Sequence, residues 1–210
     1  MTRKEHGKMS DPVFRGALAG VKAIDGSVSI SAIDDRGMID LRGDRADKKF
    51  AAATKKALGF VLPGEPRTSA GKADVTALWL SPDQWLITCP RGQADALYTR
   101  LVKGLGDIHS LVVNVSDMRT IIRLEGNGAK EILMKGAPVD LTTAEYGPGS
   151  VRRLRFAELA ALIHVISSEP DTIDLYVFRS YGEYTWDWLA ATSSKQSELR
   201  IFTNQDAAPV

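Results

Sequence analysis

Hydrophobic and polar positions alternate along the first part of the chain. Val28, Ile30 and Ala32 alternate with Ser29 and Ser31, which is the pattern of a half-buried strand. The same reading predicts further strands over 38–41, 75–80 and 85–88, with helices over about 44–58 and 93–103. The first half is therefore predicted to mix short strands with helices.

The second half repeats this plan. Strands are predicted over 111–115, 120–124, 152–157, 159–166 and 173–178, and a helix over about 127–135. Ser180 and Glu183 have the spacing of a capping box, so the last helix is predicted to begin at Ser180. Tyr184, Trp188 and Leu189 then share one face of that helix.

Two segments echo each other along the chain. Ile-Asp-Leu-Arg-Gly at 39–43 and Ile-Arg-Leu-Glu-Gly at 122–126 lie 83 residues apart, and each leads into a predicted helix. This repetition predicts one pseudo-symmetric α+β domain over 16–200, with halves at about 20–106 and 107–195. The remaining segments, 1–15 and 201–210, are predicted to be tails.

Composition narrows the functional classes. The chain has 210 residues, 44% hydrophobic and 25% charged, which is typical of a globular protein. Its net charge of +1 gives no long-range attraction to nucleic acid or to a membrane surface. No apolar run reaches the roughly 18–20 residues of a membrane helix, and the polar start lacks the apolar core of a secretory signal. We expect a soluble, cytoplasmic protein.

The groups that carry metal or nucleophilic chemistry are scattered. His6, His109 and His164 show no spacing that brings them together, and His164 lies inside an apolar strand, as a hydrogen-bonded core histidine does. Cys89 is the only cysteine, which excludes an internal disulfide. It is either a buried structural thiol or, beside Arg91, a reactive one without a visible base.

Two further motifs carry weak signals. Gly126 and Gly128 form a short G-x-G that lacks both the third glycine and the lysine of a phosphate loop. A helix-start turn or an anion site at the helix N-terminus explains them. Asp117 lies in a turn between strands near Arg119, where it is either a solvated turn aspartate or an acid–base group.

Aromatic and arginine residues indicate a candidate interface. Trp186 and Trp188 point about 200° apart on a helix, so they are not expected to face one core. One of them lies at a partner surface, or one indole is the exposed rim of a large core. Arginines on or beside strands form either a solvated face or a contact with an acidic partner; they are Arg42, Arg119, Arg123, Arg152, Arg153, Arg155 and Arg179. The candidate interface residues are Trp186, Trp188, Tyr184, Arg153 and Arg179.

Eight short segments follow one another in an order that resembles a known family. They are LRGD at 41–44, ALGFVLP at 57–63, LWLSPDQWL at 78–86, VSDMR at 115–119, AKEIL at 129–133, KGAPVDL at 135–141, DLYVFRS at 174–180 and WDWL at 186–189. Together, over about 20–195, the chain resembles the gamma subunit of heterotetrameric sarcosine oxidase. That family is similar to the folate-binding domain of the glycine-cleavage aminomethyltransferases, so the resemblance implies a duplicated ferredoxin-like α+β fold.

The resemblance also implies a function, the oxidative demethylation of sarcosine to glycine. In such complexes the beta subunit holds the flavin at which the amine is oxidised, the alpha subunit carries NAD and passes the one-carbon unit to tetrahydrofolate, and the delta subunit binds zinc. The gamma subunit is accessory and packs on alpha. We therefore expect FAD, FMN, NAD, zinc and tetrahydrofolate in the partner subunits, none of them on this chain, and an isolated chain without activity.

The sequence departs from the aminomethyltransferases at a motif that they use for folate chemistry. The aminomethyltransferases carry a Gly-Tyr-Thr-Gly-Glu stretch before the strand that matches 174–178. Here 166–171 reads Ile-Ser-Ser-Glu-Pro-Asp, which places Glu169 in a different context. No catalytic, cofactor-binding or metal-binding residue is therefore assigned to this chain. Two alternatives stay open, a stand-alone folate- or small-molecule-binding protein and an aminomethyltransferase-like enzyme that depends on Asp117.

Overall fold

A computed structural model describes residues 14–194 and residue 197. Nearly all of the two predicted tails, 1–15 and 201–210, lies outside the described residues. Within the described part the strands are β1 (Ser29–Ile33), β2 (Arg36–Gly43), β3 (Ser69–Lys72), β4 (Val75–Ser81), β5 (Gln84–Pro90), β6 (Ser110–Asn114), β7 (Arg119–Glu125), β8 (Val151–Phe156), β9 (Leu159–Ser168) and β10 (Asp171–Phe178). The α-helices are α1 (Lys48–Leu58), α2 (Ala94–Leu105), α3 (Ala129–Met134) and α4 (Gly182–Ser193).

The strands form two antiparallel sheets of related topology. The first sheet has the order β3-β4-β5-β2-β6 and the second the order β1-β7-β10-β9-β8. In the first, β2, β4, β5 and β6 with α1 and α2 make a ferredoxin-like unit. In the second, β7, β9 and β10 make the same unit with α3 and α4. Its fourth strand is β1, which lies at the edge beside β7 as β6 lies at the edge beside β2. The duplicated ferredoxin-like fold predicted for the chain is thus confirmed.

The two sheets do not follow the halves predicted from the repeat. β1, within the first predicted half, pairs with β7, and β6, within the second, pairs with β2. Each half therefore gives one edge strand to the sheet of the other. The alternation of polar and apolar residues reports which face of a strand is buried and carries no information about its neighbour.

The sheets and helices stack in four layers. A first core lies between the first sheet and helices α1 and α2, and a second core lies between the second sheet and helices α3 and α4. A central core joins the facing sides of the two sheets. Its buried members are Met38, Leu78, Leu80, Leu86, Ile121, Val151, Leu162 and Tyr176.

Local interactions set the helix boundaries. The Asp47 carboxylate accepts a hydrogen bond of 2.8 Å from the backbone N–H of Lys49, so α1 begins later than the predicted residue 44. Gly59 ends that helix with a φ of 84°, as expected. The capping box predicted at Ser180 is wrong, because a 3₁₀ turn precedes α4 and no side chain caps the helix.

Candidate functional site

A bidentate ion pair lies between neighbouring strands of the second sheet. Arg123 on β7 stands opposite Asp174 on β10 and donates from Nε to Oδ1 at 2.7 Å and from Nη2 to Oδ2 at 2.9 Å. The hydrogen bond to Asp174 is the main cause that raises the pKa of the Arg123 guanidinium. Asp174 is only 6% exposed, so the hydrogen bonds from Arg123, rather than water, stabilise its negative charge. The arrangement satisfies a buried carboxylate and leaves it no free oxygen for catalysis.

His164 ties the second sheet to the first. It lies on β9, and its Nε2 is 3.0 Å from Oγ of Ser69 on β3. Burial is the main cause that lowers the pKa of the imidazole to about 4, so the ring is neutral near pH 7. Among residues 14–194 and 197, no three histidine, cysteine or acidic side chains are grouped to hold a metal ion. The position of His164 is that of a hydrogen-bonded core histidine.

The other reactive side chains named from the sequence occupy separate places. Cys89 is fully buried in the first core, and burial raises the pKa of its thiol. Asp117 is exposed at the turn between β6 and β7 and accepts a hydrogen bond from the Arg91 guanidinium. His109 is exposed at the start of β6, and His6 lies outside the described residues. Cys89, Asp117 and His109, the three of these candidates that the structure describes, lie on different elements and share no hydrogen bond.

The glycine pair at the start of α3 has a packing role. Gly126 has a φ of 127°, and a Cβ there would lie 2.5 Å from the carbonyl oxygen of Ser27. Gly128, with a φ of 118°, is the N-cap of a helix of six residues. Both positions require glycine, Gly126 because another stretch of backbone lies too close for a Cβ, and both because their φ angles are positive. Helix-start geometry therefore accounts for the motif.

The segment that replaces the folate motif of the aminomethyltransferases forms the hairpin between β9 and β10. Glu169 is exposed there, and its backbone N–H bonds to Oγ of Ser167 at 3.1 Å. Because a pterin is held by a carboxylate inside a shaped pocket, an exposed hairpin offers no such contact.

Two arginines at equivalent places hold the start of the described chain. Arg91 opens the 3₁₀ turn between β5 and α2, and Arg179 opens the turn between β10 and α4. Their guanidinium carbons lie 3.3 Å and 5.7 Å from the ring centre of Phe14. Arg179 also donates to the carbonyl of Arg15. Arg179, a predicted interface residue, thus contacts its own chain, and sequence reasoning missed Phe14 because it falls in a predicted tail.

The two tryptophans of α4 contact the same core despite their separation of about 200°, which matches the alternative of a large core with one indole at its rim. Trp186 is buried in the second core, and Trp188 is half-buried at its rim, edge-to-face on Phe156 at 4.8 Å between ring centres. The reason is that α3 lies beside α4 and extends the core around the helix. Tyr184 is exposed, and its hydroxyl donates to the carbonyl of Ala157 at 3.2 Å.

Arg153 lies on β8, the edge strand of the second sheet opposite to β1. The side chain is exposed, and no acidic group of the described residues pairs with it. Of the five predicted interface residues, Arg153 and Tyr184 therefore present side chains to solvent, whereas Trp186 is enclosed. No helix in the part of the chain that the structure describes is long and apolar enough to cross a bilayer.

Comparison with known proteins gives a consistent family. Residues 42–195 match the model of the sarcosine oxidase, gamma subunit family. The chain is 29% identical over 190 residues to sarcosine oxidase subunit gamma from Corynebacterium sp. (strain P-1), covering 89% of this chain and 87% of that one.

Solved structures agree with the sequence comparison. A chain of the heterotetrameric sarcosine oxidase from Corynebacterium sp. U-96, solved with pyrrole 2-carboxylate, superposes with a TM-score of 0.78 and 25% identity, over 88% of this chain and 97% of that one. Glycine cleavage system aminomethyltransferase T from Bartonella henselae shares the fold, with a TM-score of 0.57 and 16% identity over 78% of this chain and 45% of that one. The family match over 42–195, within this fold, places the chain in the sarcosine oxidase gamma subunit family.

Proposed function

We propose that this chain is the gamma subunit of a heterotetrameric sarcosine oxidase, where it is an accessory subunit without a catalytic centre. One observation carries the proposal: the match to a chain of the solved heterotetrameric enzyme spans 97% of that chain, so the likeness extends over the whole subunit. The complex oxidises sarcosine to glycine in the cytoplasm, and this chain supports the subunits that carry out the chemistry.

The local chemistry supports an accessory role. Catalytic acids, bases and nucleophiles need an accessible reacting atom. Here His164 bonds to Ser69 between the sheets, Asp174 is held by Arg123, and Cys89 is fully buried. Each of these groups already has a structural partner or a fully enclosed position.

The proposal also names partners and cofactors. The alpha subunit is the direct neighbour, and the beta and delta subunits belong to the same assembly. FAD, FMN, NAD, zinc and tetrahydrofolate bind to these partner subunits. The order of family segments from 41 to 189 supports this assignment, because the resemblance covers nearly the whole described chain.

Co-expression with alpha, beta and delta subunits tests the function. The chain is expected to co-purify with them in a fixed ratio, and a complex made without it is expected to lose assembly or sarcosine turnover. Normal assembly and turnover in its absence would overturn the proposal. Titration of the isolated chain with tetrahydrofolate, followed by tryptophan fluorescence, tests the rival stand-alone binder, for which saturable micromolar binding is required.

Substitutions at the predicted interface residues can be tested in the same co-purification experiment. Tyr184→Glu and Arg153→Glu place a negative charge on exposed positions and are expected to reduce co-purification. Trp186 is unsuitable for the same purpose, because it is 8% exposed and a charge there would disrupt the second core.

A further inference from the structure

The strand β8 has an open edge with free backbone groups. Within the described residues it pairs along its length with β9 alone, at one end of the second sheet. Val165 N–H donates to the carbonyl of Ser150, and Val151 N–H turns outward to the carbonyl of Arg67 at 2.8 Å. Because bonding direction alternates in an antiparallel pair, Arg153 and Arg155 also turn their N–H and C=O groups away from β9. Two successive positions of this edge are thus ready to pair with another strand.

The same edge concentrates positive charge. Glu145 is shared by Arg67 at 3.4 Å and Arg152 at 3.7 Å, and Glu158 contacts Arg155. Arg153 has no acidic partner among the described residues. The edge therefore carries four arginines against two glutamates, whereas the entire chain has a net charge of +1. The net positive charge of this edge, +2, is therefore about twice the net charge of the whole chain.

This charge decides which strand fits the open edge. A second copy of β8 would set Arg153 and Arg155 against the same arginines, and like charges across a strand pair are destabilising. A strand with aspartate or glutamate at alternate positions would instead meet both arginines on one face while its backbone fills the free positions. The edge is complementary to an acidic, extended chain.

We propose that β8 receives an acidic, extended segment from another subunit of the complex, which extends the second sheet by one strand at Arg153 and Arg155. The inference rests on the proposed function. It adds the surface of contact and the chemistry of the segment that binds there. Arginine on an edge strand also protects a sheet from unwanted pairing, and that simpler role is the outcome against which the proposal is tested.

Charge reversal in the co-expressed complex is the first test. The double variant R153E/R155E is expected to associate about 100-fold more weakly, since two attractive contacts become repulsive. R100E/K103E, which also reverses two charges, on the exposed face of α2, is the matched control and is expected to co-purify normally. Thermal unfolding of the isolated variants confirms that both keep the fold.

The outcomes separate the two proposals. If the unaltered chain does not co-purify with its partners, the proposed function fails, and this contact fails with it. If the unaltered chain co-purifies and R153E/R155E does so equally well, the function stands and the β8 contact is overturned.

Hydrogen exchange tests the backbone directly. In the isolated chain, the outward amides of Arg153 and Arg155 are expected to exchange quickly, and assembly is expected to slow the exchange of a peptide that covers β8. A peptide from the exposed side of α2 is the internal reference. Unchanged exchange in β8 on assembly contradicts the proposal, as does slow exchange in an isolated chain that sediments as a dimer.

Discussion

Arg123 and Asp174 face each other across β7 and β10, joined by two hydrogen bonds of 2.7 Å and 2.9 Å. The carboxylate is buried, whereas the arginine side chain is 27% exposed. The pair therefore holds a buried negative charge next to the central core. Loss of the arginine would leave that buried charge without compensation.

Removal of this arginine is expected to cost considerable stability. Arg123→Met should lower the free energy of unfolding by about 3 kcal/mol, because it leaves the Asp174 charge buried without a partner. The double variant R123M/D174L should recover most of that loss, since no charge stays buried. The matched control is Arg42→Met, which breaks the exposed pair to Asp83 and should cost far less stability, because water screens those two charges. Urea unfolding measures all three, and equal losses for the two single variants would contradict the argument.

The buried histidine predicts a pH dependence. The pKa of His164 is about 4 when folded, against an ordinary value of 6.5. Between these values the unfolded chain binds more protons, so stability falls as the pH drops from 6.5 towards 4, by about 3 kcal/mol in total. His164→Gln should flatten this part of the curve, because no imidazole is left at this position to bind a proton. Denaturant unfolding from pH 4 to 7 checks the prediction, and an unchanged slope in His164→Gln would refute it.

Cys89 is expected to be inert in the folded chain. Its side chain is fully buried, and burial raises the pKa of the thiol, so the reactive thiolate is scarce. Labelling by a disulfide reagent should be at least about 1,000-fold slower than in urea, because it requires opening of the first core. Rapid labelling of one thiol in the native chain would instead indicate an accessible, activated cysteine.

A tight contact at Gly136 predicts intolerance to a single methyl group. A Cβ there would lie 2.9 Å from both Phe156 and Trp188. Gly136→Ala should therefore destabilise the fold by about 1–3 kcal/mol, since the rim of the second core must shift. Gly92→Ala is the control, because nothing lies within 4 Å of the added methyl. Thermal unfolding compares the two, and Trp188→Leu added to Gly136→Ala should return part of the lost stability. If both alanine variants unfold alike, the contact does not limit stability.

Most strands of this fold were predictable from one of two signals, an alternation of apolar and polar residues or a short apolar run between turn residues. Ser29 and Ser31 alternate with apolar residues in β1, whereas β7, over Arg119–Glu125, holds three consecutive buried residues and follows the second signal. The strand β3 escaped prediction because Ser-Ala-Gly-Lys has no apolar alternation, and pairing with β4 alone defines it. The start of α4 was also misplaced, because the backbone N–H of Arg179 bonds to the carbonyl of Met118 and directs the chain into a 3₁₀ turn first.

The candidate site was less predictable than the fold. Sequence spacing placed Trp186 and Trp188 on opposite sides of a helix, but the neighbouring helix α3 determines that both contact the second core. The role of Arg91 depends on Phe14, which lies far away in sequence. The open edge at Arg153 depends on the sheet order, which local patterns do not encode.

The exchange of β1 and β6 between the two units has a consequence for synthesis of the chain. β1 leaves the ribosome before any other strand, yet its neighbour β7 follows only after the whole first unit has been made. Likewise β2 and β5 form a sheet that stays incomplete until β6 arrives. Neither repeat can finish folding while the other is absent. A gene cut between them would yield two fragments that each lack an edge strand and regain it only from each other.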